Sequence, residues 1–357
     1  MSQNKNNYKK KVYHFLNTGN YSGAENVVIN IALLVDDFEH VYVSPSGPIN
    51  DILEEFDIRH IIIDQLSVKS TYQIIKENKP DIVHAHDFRA SIIIGINEKH
   101  IHQYGGRLIS HIHNNDPRMR KYGLLALLYR MSINKFDDIV VVSNPVIDEY
   151  VFSEYLRKRS NIIVLKNIIN EEVINKKVRS GQGTNITDLI FVGRLTEQKD
   201  PLKFLEIVKL VSNAIPQVKA EMIGEGPLRR EVEEYIETSQ LSNNVELLGF
   251  INNPYPYINA SKIGVSTSLW EGFGLSVLEE QLLGKPVVAT PVGGVPDLIT
   301  SESGILSSST QEMTNEIVKL LTDNEYLTEK SIKARENAIA INDISKFIQD
   351  LRMLYGK

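Results

Sequence analysis

The sequence contains no cysteine among its 357 residues. Disulfide bridges, thiolate metal sites and a cysteine nucleophile are therefore excluded. The chain also has no uninterrupted apolar run long enough to span a bilayer, and the polar, lysine-bearing segment 1–11 lacks the apolar core of a signal peptide. These absences predict a cytoplasmic protein.

Two kinds of binding motif are also missing. The first predicted strand is not followed by a G-x-G-x-x-G fingerprint, so no nicotinamide cofactor is indicated. The formal net charge is −6, and basic residues do not alternate with aromatic ones along the chain. This composition argues against nucleic acid as the main partner.

Short strand-like runs alternate with helical stretches, which is typical of parallel sheets built from βαβ units. In the first half, the predicted strands are 11–16, 40–44, 59–63, 81–85, 107–112 and 139–142. The second half repeats the alternation from residue 189, after a polar segment whose most linker-like part is 179–185. Length and pattern together predict two domains, at 1–175 and 176–340, and a final helix at 341–357.

The most informative stretch is 268–280, in which seven residues separate two carboxylates. Glu271 precedes a short predicted helix, and Glu279 lies within it. Gly272 and Gly274 allow close approaches that a Cβ would obstruct. A loop that leads into a helix start offers free N–H groups and the positive end of the helix dipole, so we expect an anion such as phosphate to bind there. The alternative is a solvated glutamate pair on an ordinary βα unit.

These residues, followed by GKPVVATPVGGVPDLI at 284–299, resemble the signature of retaining nucleotide-sugar glycosyltransferases of the GT-B fold. The family is the large E-x7-E one (glycosyl transferases group 1, family 4), of the bacterial polysaccharide-biosynthesis type. The resemblance implies an α/β fold with two Rossmann-like βαβ domains facing a central cleft. It also implies that the first domain binds the acceptor, that the second binds the nucleotide sugar, and that the last helix crosses back to the first.

The resemblance assigns roles in the second domain. Arg194 and Lys199 match a G-R-x(4)-K element that holds the donor diphosphate, with Arg as a fork and Lys as a point charge. Glu279 would accept hydrogen bonds from the ribose, and Glu271 would face sugar hydroxyls. The remaining donor-site residues of the loop are Phe273, Gly274 and Leu275.

Other positions keep two interpretations or depart from the family pattern. Gly249 and Phe250 either shape the nucleobase pocket or serve packing alone. Asp200 replaces a glycine that commonly follows the lysine, and Glu280 replaces a small residue beside Glu279.

In the first domain, Ser22-Gly-Ala-Glu resembles the family's GGAE loop, and its Gly23 would approach the donor; it could also simply start a helix. His113 matches a substrate-contacting histidine, whose neutral imidazole could hydrogen-bond a sugar; the alternative is a structural histidine. We expect catalysis to involve His113 with Glu271, Arg194 and Lys199. We interpret His84 and His86 as structural, because paired H-x-H motifs without a carboxylate cluster are weak support for a metal site.

The segment 118–135 combines five basic residues and no acidic one with an apolar run at 124–129. It could contact anionic lipid on the inner face of the cell membrane, as some members of the family do. It could equally be a helix packed on the sheet with solvated basic ends.

The resulting hypothesis is a retaining hexosyltransferase. It would move a hexose or N-acetylhexosamine from a nucleoside diphosphate sugar, by family frequency a UDP-sugar, to a carbohydrate or lipid-linked saccharide acceptor in surface polysaccharide synthesis. No D-x-D motif lies in a suitable loop, so we expect activity without metal and no cofactor besides the nucleotide-sugar co-substrate. A non-catalytic GT-B partner subunit and a GT-B sugar-nucleotide epimerase are the alternatives.

Overall fold

The computed structural model describes residues 9–181 and 186–357. The chain divides into two compact units, one formed by the described residues up to Ile168 together with Ile344–Lys357, the other by Ile169–Asp343. Each unit contains one sheet whose paired strands are all parallel. The predicted α/β class with two Rossmann-like domains is confirmed.

The sheet of the first unit has seven strands in the order β3-β2-β1-β4-β5-β6-β7. Their bounds are β1 Lys11–Phe15, β2 Glu39–Pro45, β3 Arg59–Ile63, β4 Ile82–His86, β5 Arg107–Ile112, β6 Asp138–Val141 and β7 Ile162–Val164. The helices between them are α1 Gly23–Leu34, α2 Ile49–Glu55, α3 Val68–Asn78, α4 Asp87–Gly95, α5 Glu98–Gln103, α6 Leu124–Ser132, α7 Asn144–Asp148 and α8 Ser153–Arg157. All residues of β4 are buried, as expected for a central parallel strand covered on both faces.

The second unit has a six-stranded sheet in the order β10-β9-β8-β11-β12-β13. Its strands are β8 Thr187–Val192, β9 Ala220–Ile223, β10 Val245–Gly249, β11 Ser261–Ser266, β12 Val287–Ala289 and β13 Gly304–Leu306. Its helices are α9 Glu171–Ser180, α10 Pro201–Ala214, α11 Arg229–Thr238, α12 Tyr255–Ala260, α13 Leu275–Leu282, α14 Thr310–Thr322 and α15 Asn324–Ile341. From β8 the next two strands are added on one side, and β11 to β13 are added on the other, so the strand order switches between β8 and β11. Ligands of such sheets bind beyond the carboxyl ends of the strands at this switch point.

The boundaries of the units differ from the predicted ones. The first unit ends at Ile168 rather than at 175, because the polar residues 171–180 form α9, which is capped by Asn170 and packs on α12. The second unit ends at Asp343 rather than at 340, because the Asn342 side chain hydrogen-bonds both the N–H and the carbonyl oxygen of Ile169, at 2.8 and 2.9 Å. Of the predicted linker, residues 182–185 lie outside the described residues.

The last helix, α16 Ile344–Gly356, belongs to the first unit. The hydroxyl of its buried Tyr355 lies 2.9 Å from Nδ1 of His84 on β4. Arg107 of β5 donates a hydrogen bond of 2.6 Å to the carbonyl oxygen of Leu354. The helix is therefore tied to two central strands of that sheet. Within the described residues, no helix combines the length and the hydropathy needed to cross a membrane.

Candidate functional site

The loop that follows β11 is bound to the turn that follows β8. The hydroxyl of Thr267 donates to the carbonyl oxygens of Lys199 and Asp200, at 3.0 and 2.8 Å. The N–H of Leu269 donates to the carbonyl oxygen of Gln198 at 2.8 Å. Because both loops extend from the carboxyl ends of adjacent strands, these bonds bring the predicted cations and the first predicted carboxylate together.

Lys199 and Glu271 form an ion pair, with 2.5 Å between Nζ and Oε1. Ser268 donates its hydroxyl to the same carboxylate oxygen at 2.7 Å. Both charged side chains are largely withdrawn from solvent, at 18 and 9% exposure, so the pair is screened less than a surface pair would be. The solvated-pair alternative therefore does not apply to Glu271.

Arg194 lies on the same turn and remains exposed. Its guanidinium donates to Oε1 of Gln198 at 3.2 Å, and the Gln198 amide donates to the carbonyl oxygen of Trp270 at 3.1 Å. Gln198 thus connects the arginine to the loop that carries Glu271. Sequence analysis missed Gln198, whose role depends on a contact with a loop more than seventy residues away.

Glycines allow the loop after β12 to pack directly on the residues that follow Glu271. Gly293 has φ +53°, and a Cβ there would lie 1.8 Å from the carbonyl oxygen of Glu271. The N–H of Gly294 donates to the carbonyl oxygen of Gly272 at 3.2 Å. The segment that carries Glu271 and the segment 284–299 are therefore packed directly on each other.

Helix α13 starts at the predicted anion site. Its N-cap is Gly274 at φ +100°, and no side-chain cap is described at this end, so Leu275 begins a first turn whose N–H groups can face a ligand. Phe273 is buried, at 3% exposure, and its ring therefore serves the packing of this loop.

Glu279 and Glu280 lie side by side on α13 but have different surroundings. The hydroxyl of Tyr255, on α12, donates to Oε1 of Glu279 at 3.0 Å. Burial raises the pKa of Glu279 to about 7, although Tyr255 and the charge of Lys199 act in the opposite direction. Glu280 is turned toward β11, where a Cβ on Gly264 would lie 2.1 Å from its Oε2. Burial, and after it the charge of the neighbouring Glu279, raise the pKa of Glu280 well above its usual range, so burial disfavours a charge on this carboxyl.

Three glycines bring the ends of β8, β9 and β10 together. A Cβ on Gly224 would lie 1.9 Å from the carbonyl oxygen of Gly193, and the N–H of Gly224 donates to the carbonyl oxygen of Gly249 at 2.8 Å. Gly249 itself has φ +72°. Phe250, which follows it, is 55% exposed. Gly249 therefore takes part in the packing of these strand ends, and Phe250 is exposed; a role of either residue in the nucleobase pocket stays a prediction.

In the first unit, Gly23 is the first residue of α1, and the Ser22 hydroxyl donates to Glu25 at 2.5 Å.

His113 directly follows β5 and is 8% exposed. Burial lowers its pKa to about 3, so the imidazole is neutral, as predicted. Its ring Nε2 lies 2.8 Å from Nδ1 of His86.

Asp87 was not recognised in the sequence, although it holds His113 in place. It accepts a hydrogen bond of 3.0 Å from the N–H of His113. Its backbone has φ +67°, an uncommon conformation for a residue with a side chain. Burial raises the pKa of Asp87 to about 7, against the lowering effect of the N–H groups of His113 and Asn114. The signal in the sequence was an aspartate immediately after the buried H-x-H strand.

Helix α6 presents two different faces. Ala126, Tyr129 and Ser132 are buried, whereas the opposite side carries exposed apolar residues: Leu124, Leu127, Leu128 and Met131, preceded by Tyr122 at 82% exposure. The nearby arginines are partly neutralised, since Arg118 pairs with Asp116 at 2.6 Å and Arg120 pairs with Glu149 at 2.8 Å. The helix therefore both packs on its unit and exposes an apolar surface.

Two family models match nearly the whole chain. Residues 21–173 match Glycosyltransferase Family 4, and residues 171–340 match Glycosyl transferases group 1. An uncharacterized glycosyltransferase of Methanocaldococcus jannaschii is 30% identical over 62% of this chain. The match covers 59% of the length of that relative. The UDP-Gal:alpha-D-GlcNAc-diphosphoundecaprenol alpha-1,3-galactosyltransferase of Escherichia coli is 26% identical over 87% of this chain and 86% of its own length.

The fold has solved counterparts as well. Anabaena HepE, crystallised with UDP-glucose, superimposes with a TM-score of 0.81 and 21% identity, covering 97% of this chain and 99% of HepE. Fold and site thus define a GT-B protein with two parallel-sheet α/β domains. The chain belongs to the group 1 glycosyltransferase family.

Proposed function

We propose that this protein is a retaining, metal-independent hexosyltransferase. It moves a hexose or N-acetylhexosamine from a UDP-sugar to a carbohydrate or lipid-linked saccharide acceptor in surface polysaccharide synthesis. The observation that carries the proposal is the buried contact of Lys199 with Glu271, beside Arg194 and the start of α13. The name of the E. coli relative includes a UDP-sugar donor and a diphosphoundecaprenol-linked acceptor, which supports both substrate classes.

The difficult step is departure of a diphosphate while the sugar becomes positively charged. Arg194 and Lys199 would stabilise the departing charge, together with the N–H groups of the first turn of α13. Removal of one such preorganised group commonly lowers the rate by about 10²–10³, or roughly 3–4 kcal/mol. Since two cations already neutralise the diphosphate, the mechanism needs no divalent metal.

Retention requires either a covalent intermediate or displacement on one face of the sugar. Glu271 is the carboxylate nearest to the cations, but its Oε1 already accepts hydrogen bonds from Lys199 and Ser268. A carboxylate held in this way is a weak nucleophile, and it is better suited to orienting sugar hydroxyls. We therefore favour same-face displacement, in which the leaving phosphate receives the acceptor proton.

Glu279 would bind the ribose. An ionised carboxylate is the stronger acceptor for two neighbouring hydroxyls, and Tyr255 and Lys199 favour the ionised form of Glu279. Glu280 points toward Gly264 in the core and does not compete for this role.

Nucleotide binding tests the donor site. We would titrate UDP, GDP and ADP into wild type and Lys199→Ala in the presence of EDTA, by calorimetry. We expect tight binding of UDP that weakens at least tenfold, about 1.4 kcal/mol, in the variant. Lys209→Ala is the matched control, because Lys209 is an exposed lysine on the adjacent helix α10.

Product analysis then separates the classes of function. A transferase releases UDP only when an acceptor is present, and NMR of the first product would show the anomeric configuration of the donor. Epimerised nucleotide sugar without an acceptor would identify an epimerase. A folded protein that binds no nucleotide would be a partner subunit, and the proposal would be wrong.

The exposed face of α6 supports a peripheral membrane contact. Because it combines apolar side chains with the exposed cation Lys121, we expect binding to phosphatidylglycerol vesicles that exceeds binding to phosphatidylcholine. Leu124→Asp combined with Met131→Asp should weaken sedimentation with the anionic vesicles at least tenfold. Ile332→Asp, at an exposed apolar position in the second unit, is the control. Equal sedimentation of both variants would show that α6 is not a membrane surface.

A further inference from the structure

The first unit contains a cluster of histidines of which the proposed function uses a single member. They lie on four adjacent strands, or directly after one: His40 on β2, His14 on β1, His84 and His86 on β4, His111 on β5, and His113. His14, His84, His86 and His111 are almost completely buried, at 2% exposure or less. Groups as polar as these are rarely buried without a reason.

Four of these rings form one continuous hydrogen-bonded chain. Nε2 of His40 lies 2.9 Å from the carbonyl oxygen of Val35. Nδ1 of His40 lies 2.9 Å from Nε2 of His14, and Nδ1 of His14 lies 3.0 Å from Nε2 of His86. Nδ1 of His86 then lies 2.8 Å from Nε2 of His113. His40, His14 and His86 thus each use Nε2 on one side and Nδ1 on the other, and His113 uses Nε2 alone.

The carbonyl group at one end sets the direction of the whole chain. A carbonyl oxygen only accepts, so Nε2 of His40 must carry a hydrogen. A neutral imidazole has one donor and one acceptor nitrogen, so Nδ1 of His40 accepts, and the same reasoning passes through His14 and His86 to His113. Every ring of the chain is therefore the Nε2–H tautomer. At the far end, Nδ1 of His113 is left as an acceptor.

The rings must be neutral for this reasoning to hold, and their surroundings keep them so. Burial lowers the pKa of His40, and it lowers the pKa values of His14 and His86 far more strongly. The charge of one ring would also disfavour a charge on the next. A doubly protonated His86 would donate from Nδ1 to Nε2 of His113 and so place the proton of His113 on Nδ1; the Nε2–H form of His113 therefore depends on a neutral His86.

A metal ion is the main rival explanation. His86, His111 and His113 have ring nitrogens within 4.8 Å of one another, as do His14, His84 and His86. However, both ring nitrogens of His86 already face other rings at hydrogen-bonding distance. Zinc would need each ligand nitrogen about 2.0–2.1 Å from one point, so these rings would have to turn away from their present partners.

We infer that His40, His14 and His86 are positioning residues that hold the proton of His113 on Nε2 and present its Nδ1 as a hydrogen-bond acceptor. Nδ1 of His113 is buried and has no hydrogen-bond partner among the described residues. The group it would bind is a hydroxyl of the substrate sugar, because an acceptor nitrogen cannot bond a phosphate or carbonyl oxygen. That last point rests on the proposed function, in which His113 contacts the sugar.

The tautomers can be observed directly in the whole protein. We would label the histidines with ¹⁵N and record long-range ¹H–¹⁵N correlations, which distinguish Nε2–H from Nδ1–H rings without any substrate. The expected pattern is Nε2–H for His14, His40, His86 and His113. An Nδ1–H signal at His113 would overturn the inference. A stoichiometric metal in the purified protein, whose removal changes these signals, would also overturn it.

Variants at the carbonyl end of the chain test whether it acts on His113. His40→Phe removes the donor to Val35 and should yield a mixture of tautomers at His113, with kcat/KM lowered about tenfold. His40→Gln offers an amide donor and a carbonyl acceptor, and should restore the Nε2–H pattern and most of the rate. His60→Phe is the control, because His60 lies on β3 and is bonded to Ser44 at 3.1 Å, outside the chain.

The outcomes also separate this inference from the proposed function. A wild-type protein that transfers no sugar but shows the four Nε2–H rings would refute the function and leave the chain in place. Active His40→Phe with unchanged signals and unchanged kcat/KM would refute the positioning role and leave the function in place. Thermal melting of each variant shows whether it is folded before either conclusion is drawn.

Discussion

The two units hold their key side chains by opposite means. In the second unit, Lys199 and Glu271 are both charged, and each is held by the charge of the other. In the first unit, His113 is neutral and is held by neutral rings and by the carboxyl of Asp87. The difference fits the groups that each site would bind, since a departing diphosphate needs fixed positive charge whereas a sugar hydroxyl needs only a fixed acceptor. Changes of charge should therefore have larger effects in the second unit than changes of hydrogen bonding in the first.

The largest effect is expected for the ion pair. Lys199→Ala should lower kcat by 10²–10³, about 3–4 kcal/mol, because the cation that faces the leaving group is lost. Glu271→Gln should lower kcat less, since the amide oxygen can still accept from Ser268. The double variant should be little worse than Lys199→Ala alone, because the two residues act as a unit. Additive losses in steady-state kinetics would show that the contact is incidental.

A backbone substitution tests how closely the loops of the charged site are packed. Gly293→Ala would place a Cβ 1.8 Å from the carbonyl oxygen of Glu271 at φ +53°, so strain and collision combine. We expect a loss of about 3 kcal/mol in unfolding free energy, measured in urea, and displacement of Glu271. Gly105→Ala separates the two causes, because Gly105 has φ +83° but, apart from its chain neighbours, no described residue has an atom within 4 Å of the added Cβ. It should lose only about 1 kcal/mol; equal losses would contradict the collision.

The sequence predicted the parts of both sites that lie close together along the chain. The strand alternation, the spacing of Glu271 and Glu279, and the glycine loop were all readable, because each reflects local geometry. Gln198 and Tyr255 were not, since their partners lie on loops or helices far along the chain. The composition of 179–185 predicts a linker, whereas the helix capped by Asn170 continues to Ser180.

The histidine chain was hidden for a related reason. Its rings come from β1, β2 and β4 and from the residue after β5, and they meet only because parallel strands in the order β2-β1-β4-β5 align their ends. Spacing within one strand gives the H-x-H pattern but not the neighbouring strand or its register. Strand order is thus the information that a single sequence did not supply.

The pH dependence of nucleotide binding should follow the carboxyl of Glu279, not a histidine. Its pKa is raised to about 7, and the ionised form accepts hydrogen bonds from two ribose hydroxyls more strongly than the neutral form, so UDP affinity should rise up to about tenfold from pH 6 to pH 8. His113, with its pKa lowered to about 3, stays neutral throughout this range. UDP affinity would be measured by calorimetry for wild type and for Glu279→Gln. Because UDP itself titrates, the profile of the variant is subtracted from that of wild type to isolate the contribution of Glu279.

Glu280→Gln is the matched control for this pH dependence. The adjacent carboxyl is directed toward Gly264 on β11, not toward the proposed ribose site, and burial raises its pKa well above the usual value, so the variant should keep the wild-type profile. A flat profile in wild type, or the loss of the slope in Glu280→Gln, would show that Glu279 does not cause the pH dependence.

The smallest effect is expected at His84, which belongs to the histidine cluster but not to its hydrogen-bonded chain of rings. Tyr355→Phe removes the hydroxyl that lies 2.9 Å from Nδ1 of His84, a ring that packs against His86 without being hydrogen-bonded to it. The buried nitrogen loses its partner, so we expect a loss of about 1 kcal/mol in unfolding free energy. Because the path from Val35 to His113 is untouched, the tautomers and kcat/KM should stay at wild-type values. A fall in kcat/KM comparable to that of His40→Phe would mean that the whole cluster, and not one directed chain, positions His113.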